Sequence, residues 1–158
     1  MRIAFSLIIF LLFLSTNVLA QSDATDIPKD IYKIFPNATR VGEMHTDIKV
    51  TPVYQLQQLL GYVFESNDFI GFSGKPVNVV IGLDTQGNVV DLFVKQHSEP
   101  IFLHGLGEKS MFDFVAQYQG HSVKERFIIG GKSNVGKDAT YFDGVTKATV
   151  SVLVINDT

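Results

Sequence analysis

The sequence contains no cysteine. That absence removes thiol catalysis, disulfide staples, CxxC redox chemistry and cysteine-ligated zinc or iron–sulfur centres together. Any electron chemistry in this chain therefore needs a borrowed cofactor. Charge is scarce too: Asp, Glu, Lys and Arg make up 18% of 158 residues, and the balance is −3 with histidine neutral. A nucleic-acid binder needs clustered positive charge against phosphates, and a polybasic membrane-surface module needs it against anionic lipid. Neither fits, and no nucleic-acid partner is expected. The four histidines, His45, His97, His104 and His121, form no HxxxH or HExxH pair, so no metal-ligand spacing exists. Internal repeats and low-complexity tracts are missing as well.

Apolar residues, by contrast, are plentiful at 46%, and much of the excess has one address. Residues 1–20 carry a single charge, Arg2, followed by an apolar run from Ile3 to Leu14 and a Val18-Leu19-Ala20 exit. This is the layout of a secretory signal cleaved before Gln21. The competing reading is an uncleaved anchor, since Ile3 to Ala20 is barely long enough to span a bilayer. Both place the remainder on the outer side of a membrane. Without Arg2 that remainder is one unit more acidic than the whole chain. Its length suits one domain that can bury a core without disulfides. Residues 21–33 open with a polar stretch bearing Pro28 and read as a lead-in, and the domain proper is expected over 34–158.

Within the domain, Val50 to Gln55 and Leu60 to Phe64 read as short strands around a Gln-rich turn. The clearest hairpin is Val77 to Val94, two β-branched runs flanking Thr85-Gln86-Gly87. Glu108 to Tyr118 is the best helix, with Met111, Phe112, Phe114, Val115 and Tyr118 on one face and Gly120 ending it. Phe127 to Ile129 reads as a further short strand. Strand pairs with scattered helices, lacking regular βαβ alternation, predict an α+β fold of antiparallel hairpins and a few packed helices.

Several motifs fail on inspection. Gly131 to Lys137 (GKSNVGK) imitates a phosphate-binding P-loop, but Asp138 stands where a magnesium-holding Ser or Thr is required. A basic loop is the better reading. Ser73, in Gly71-Phe72-Ser73-Gly74, lacks the spacing and the strand–helix context of a nucleophile elbow. A hydrolase built on Ser73 or His97 has no triad to support it. His97 and Glu99 are two apart, so on a strand they face one pocket as an acid/base couple; the alternative is a partly exposed strand end. Tyr141 to Ser151 differs in kind. Asp143 and Gly144 supply turn chemistry before a small, hydroxyl-rich stretch that presents Thr149. By propensity alone, the following VSVLVI is an edge strand.

Asp143-Gly144-Val145-Thr146-Lys147-Ala148-Thr149 resembles the flavinylation motif of FMN-binding domains, D-x-x-S/T-G-A-T. In that family a periplasmic flavin transferase joins the FMN phosphate to the final threonine through a phosphoester. The resemblance makes Thr149 the attachment residue and Asp143 the acid the transferase requires, with Thr146 in the S/T slot and Ala148 in the alanine slot. Lys147 departs from the glycine usual there, where a side chain restricts access to positive φ. Further similarity is narrower. Ile34 to Arg40, Leu60 to Phe64, Gly71 to Pro76, Ile81 to Asp84, His97 to Ile101 and Ala148 to Asp157 look, in that order, like the N-terminal domain of NosR/NirI-type proteins of nitrous oxide respiration. The likeness covers nearly all of 34–158 and implies that the stretch after the motif continues as helix.

The implied protein is an FMN-binding domain in the periplasm, covalently flavinylated, moving electrons for a respiratory reductase, with association to the inner membrane. Its implied partners are a flavin transferase and a respiratory electron donor or reductase. Ser73, Gly74 and Lys75 are expected near the flavin or its phosphate, and His97 and Glu99 are second-rank pocket residues. No catalytic residue is assigned, and a carrier or regulatory role is favoured over a stand-alone enzyme. The alternative is a non-flavinylated sensor or assembly domain of the same system, for which Lys147 is the favouring feature. NosR-type proteins continue into transmembrane helices and iron–sulfur sites, so the chain reads as a stand-alone relative or a fragment.

Overall fold

A computed structural model describes residues 27–66, 68–130 and 139–158. Helix α1 (Lys29–Ile34) leads into β1 (Arg40–Val41), β2 (Val50–Gln55), β3 (Gln58–Ser66), β4 (Asn78–Asp84) and β5 (Val89–Gln96). These five strands form one antiparallel sheet in sequence order. Helices α2 (Pro100–His104) and α3 (Glu108–Val115) follow, with a 3-10 turn over Ala116–Tyr118. Strands β6 (Arg126–Ile129) and β7 (Ala139–Phe142) pair in parallel, and α4 (Thr149–Asn156) closes the chain. The fold is a small α+β structure, as the strand pairs implied. The signal-like residues 1–20 and the P-loop imitation lie outside the described residues.

Strands β4 and β5 read as near-continuous apolar runs because both faces of the sheet are covered. Alternation sends Val79, Leu92 and Val94 one way and Val80 and Phe93 the other. On the first face sit Phe102 of α2, Met111 and Phe114 of α3, and Val152 and Ile155 of α4. On the second lies α1, with Ile27, Ile31 and Ile34 buried against Val53, Val63 and Val80. The expected lead-in, 21–33, is thus packed from Ile27 onward. The β4–β5 turn is held by Asp84, whose carboxylate accepts the Gln86 and Asn88 N–H groups, each at 2.8 Å.

One local expectation needs correction. Phe112 does not share the buried face of α3; it is exposed, because one residue past Met111 turns a side chain about 100° around the helix. VSVLVI, an edge strand by propensity alone, is helix α4, as the family resemblance implied. Ala148, Ser151, Val152 and Ile155 are buried at spacings of three, one and three, which is a single helical face. β-branching costs a helix only tenths of a kcal/mol per residue, and burial of Val152 and Ile155 outweighs it.

Near the start of β6, Glu125 receives the Thr140 hydroxyl at 2.6 Å and the Ser122 N–H at 2.8 Å, with His121 Nδ1 at 3.0 Å. These contacts, the Thr140 hydroxyl foremost, hold its carboxyl down to about 2. A folded value below the ordinary one means the support is present at neutral pH and lost as pH falls toward 2. Thr140→Val should move the Glu125 midpoint up toward the ordinary carboxylate range in a carboxyl-carbon NMR titration.

Candidate functional site

The hydroxyl-bearing motif residues sit where β7 hands over to α4. Ala148 is the N-cap of α4 and, having no polar side chain, leaves the first turn without side-chain capping. Thr149 is the first helical residue and is exposed. The first main-chain bond of the helix is Val152 N–H to Ala148 C=O, at 3.0 Å. The N–H groups of Thr149, Val150 and Ser151 therefore lack intrahelical acceptors and sit at the positive end of the helix dipole. Lys147, in the slot where the motif carries glycine, takes φ +70°. The left-handed turn that glycine adopts freely is thus kept here at a conformational cost. Lys147→Gly should stabilise the fold by about 1 kcal/mol, read as a higher urea midpoint.

Beside Thr149 opens a groove of about 490 Å³. One wall is Lys147 to Ser151, another is Pro100, Ile101 and His104 of α2, and Phe72 closes the third. Phe72 is 72% exposed, an unusual position for so large an apolar ring. Asp143 and Thr146 line a second depression, of about 550 Å³, with Ser110 and Gln117. Gln117 latches the Asp143 backbone, accepting its N–H at 2.7 Å and donating to its carbonyl at 3.0 Å.

Beneath the groove, Glu99 is 1% exposed, so the couple is no exposed strand end. One carboxylate oxygen accepts the Ser73 N–H at 3.1 Å; the other accepts the Phe72 N–H at 3.1 Å and the Ser151 hydroxyl. Burial pushes this carboxyl up, yet the donors from Ser151, Ser73 and Phe72 outweigh it and hold it below its ordinary value. The His97 ring is buried as well: its Nδ1 accepts the Glu99 N–H at 3.2 Å, and its Nε2 lies 3.3 Å from Glu108. Among the expected loop residues, Ser73 faces Glu99, while Gly74 and Lys75 are exposed at the turn. Phe72, Ser151 and Gln117 were not legible in advance.

Residues 71–158 match the FMN-binding domain family. The chain belongs to that family. Regulatory protein NosR of Stutzerimonas stutzeri is 40% identical over 128 residues, covering 79% of this chain and 17% of that protein. Regulatory protein NosR of Pseudomonas aeruginosa is 35% identical over 130 residues, covering 80% of this chain and 18% of that protein. Protein NirI of Paracoccus denitrificans is 25% identical over 99 residues, 63% of this chain and 13% of that protein. The chain thus spans less than a fifth of the length of these relatives. The FMN-binding domain begins at the Phe72 loop and runs through α4, so every wall of the groove falls inside it. The groove fits the cofactor by chemistry: apolar faces for a flat ring, and beside them uncapped helix N–H groups and a lysine for a phosphate. Among the described residues, no helix is long and apolar enough to cross a membrane.

Proposed function

We propose that this chain is an exported, covalently flavinylated domain that carries electrons for a respiratory reductase in a NosR-like system. The observation that carries this reading is the exposed Thr149 hydroxyl at the first turn of α4, opening on an apolar groove. Thr149 Oγ would lose its proton and bond the FMN phosphorus as the transferase cleaves the pyrophosphate of a flavin dinucleotide, a nucleoside monophosphate leaving. The N–H groups of the first turn, with Lys147, would receive the phosphate charge. Phe72, Ile101 and Val150 supply the apolar surface for the ring and keep water from one face. When bound, the flavin supplies one- or two-electron chemistry that a chain without cysteine cannot supply itself. A covalent tether replaces binding affinity with effective concentration in a compartment where free FMN diffuses away.

Asp143 and Thr146 line a separate depression and not the groove itself. That placement suits recognition by a flavin transferase better than contact with the ring. The proposed location is the periplasm, with residues 1–20 as signal peptide or anchor to the inner membrane. The partners are the transferase and a respiratory donor or reductase.

The second reading, a regulatory domain without covalent flavin, draws on the word "regulatory" in the names of two relatives. Lys147, standing where the motif carries glycine and held at φ +70°, is the residue that favours it. Co-expression with a flavin transferase separates the two. The flavin account expects a fluorescent band that stays with the denatured chain on a gel; the regulatory account expects a dark one.

A further inference from the structure

We propose that Glu99 is the positioning residue of the groove. Its buried carboxylate fixes the Phe72 loop to the first turn of α4, and its negative charge lowers the reduction potential of a flavin seated there. The second half rests on the flavin reading above; the first does not.

Three segments distant in sequence meet at this one side chain. Phe72 and Ser73 belong to the loop before β4, Glu99 immediately precedes α2, and Ser151 sits in the first turn of α4. Each of the three contributes a wall of the groove. Gly71 shows how close the approach is: a Cβ there would lie 2.2 Å from Glu99 Oε1, so the backbone passes directly over the carboxylate. Among the described residues, Glu99 forms no ion pair; its charge is met by the Phe72 and Ser73 amides and the Ser151 hydroxyl, with a contribution from the Ser73 side chain. Burying an unpaired carboxylate is expensive, and an apolar residue would pack the same space without that cost. A charge retained under a redox groove acts on whatever gains electrons there, because the low local dielectric transmits its field.

Two substitutions separate this account from simple loosening. Glu99→Gln removes the charge and faces an amide donor with a donor. Ser151→Ala keeps the charge and removes one group that balances it. In the Thr149→Ala background, which needs no flavin, Glu99→Gln should speed amide exchange at Phe72 and Ser73 about tenfold, with β4 unchanged. Ser151→Ala should do so by less. In the flavinylated chain, the flavin midpoint potential should rise in Glu99→Gln and fall in Ser151→Ala. Unchanged exchange in both variants overturns the positioning role. Potentials that stay put, or move the same way in both variants, overturn the tuning role, since loosening alone has no reason to reverse sign. Should Glu99→Gln fail to fold, a potential that does not fall in Ser151→Ala still decides against the tuning role. If the parent chain takes up no flavin, the tuning role falls with the flavin reading, and exchange still judges the positioning role.

Discussion

Thr149→Ala is expected to abolish covalent flavin attachment outright, and Thr146→Ala to leave it intact. Both hydroxyls are exposed and only three residues apart, so chemistry alone does not separate them. Position does. Thr149 occupies the first turn of α4, where three N–H groups lack intrahelical acceptors, and it opens on the groove beside Phe72 and Ile101. Thr146 precedes the left-handed turn at Lys147 and lines the other depression with Asp143. A phosphate joined at Thr146 would forgo the dipole and the apolar wall together. Thr149→Ser, which preserves the hydroxyl, should restore attachment, and in-gel flavin fluorescence of the denatured variants reads all three.

Gly71→Ala is expected to be the most damaging single-methyl change near the site, costing about 2–4 kcal/mol. The added Cβ would stand 2.2 Å from Glu99 Oε1, 2.7 Å from its Cδ and 2.9 Å from a methyl of Val77. The carboxylate cannot retreat without giving up the Phe72 and Ser73 amides, and Val77 is itself buried. Gly74→Ala offers the matched control. It meets nothing within 4 Å, and only its φ of +74° is strained, so about 1 kcal/mol is expected. Urea denaturation of the two variants should rank them in that order; equal losses would mean that the Glu99 contact is not what makes Gly71 necessary.

What the sequence disclosed, and what it hid, follows from how far apart the interacting residues lie. The Val77–Val94 hairpin was legible because its signal is local: β-branched runs, a glycine turn, and Asp84 to close it. The α3 helix was legible for the same reason, apart from Phe112, which periodicity placed on the wrong side. Helix α4 was hidden to propensity, since Val and Ile dominate it and its buried face includes a serine. That serine is there for Glu99, 52 residues away. Of the parallel β6–β7 pair only β6 was legible, as Phe127 to Ile129; β7 gave no sign, because it is four residues long and its pairing is tertiary. The proposed attachment motif is a contiguous string, whereas the rest of the groove is assembled across the chain. Phe72, Ile101 and Ser151 become neighbours only after the sheet and three helices have packed.

The central claim is that a flavin is carried on Thr149. Its most direct measurement is the mass of the exported chain purified from cells containing a flavin transferase, followed by peptide mapping. The account predicts one adduct equal to FMN less one water, on the peptide that contains Thr149. An unmodified mass, or an adduct on any other residue, would contradict it.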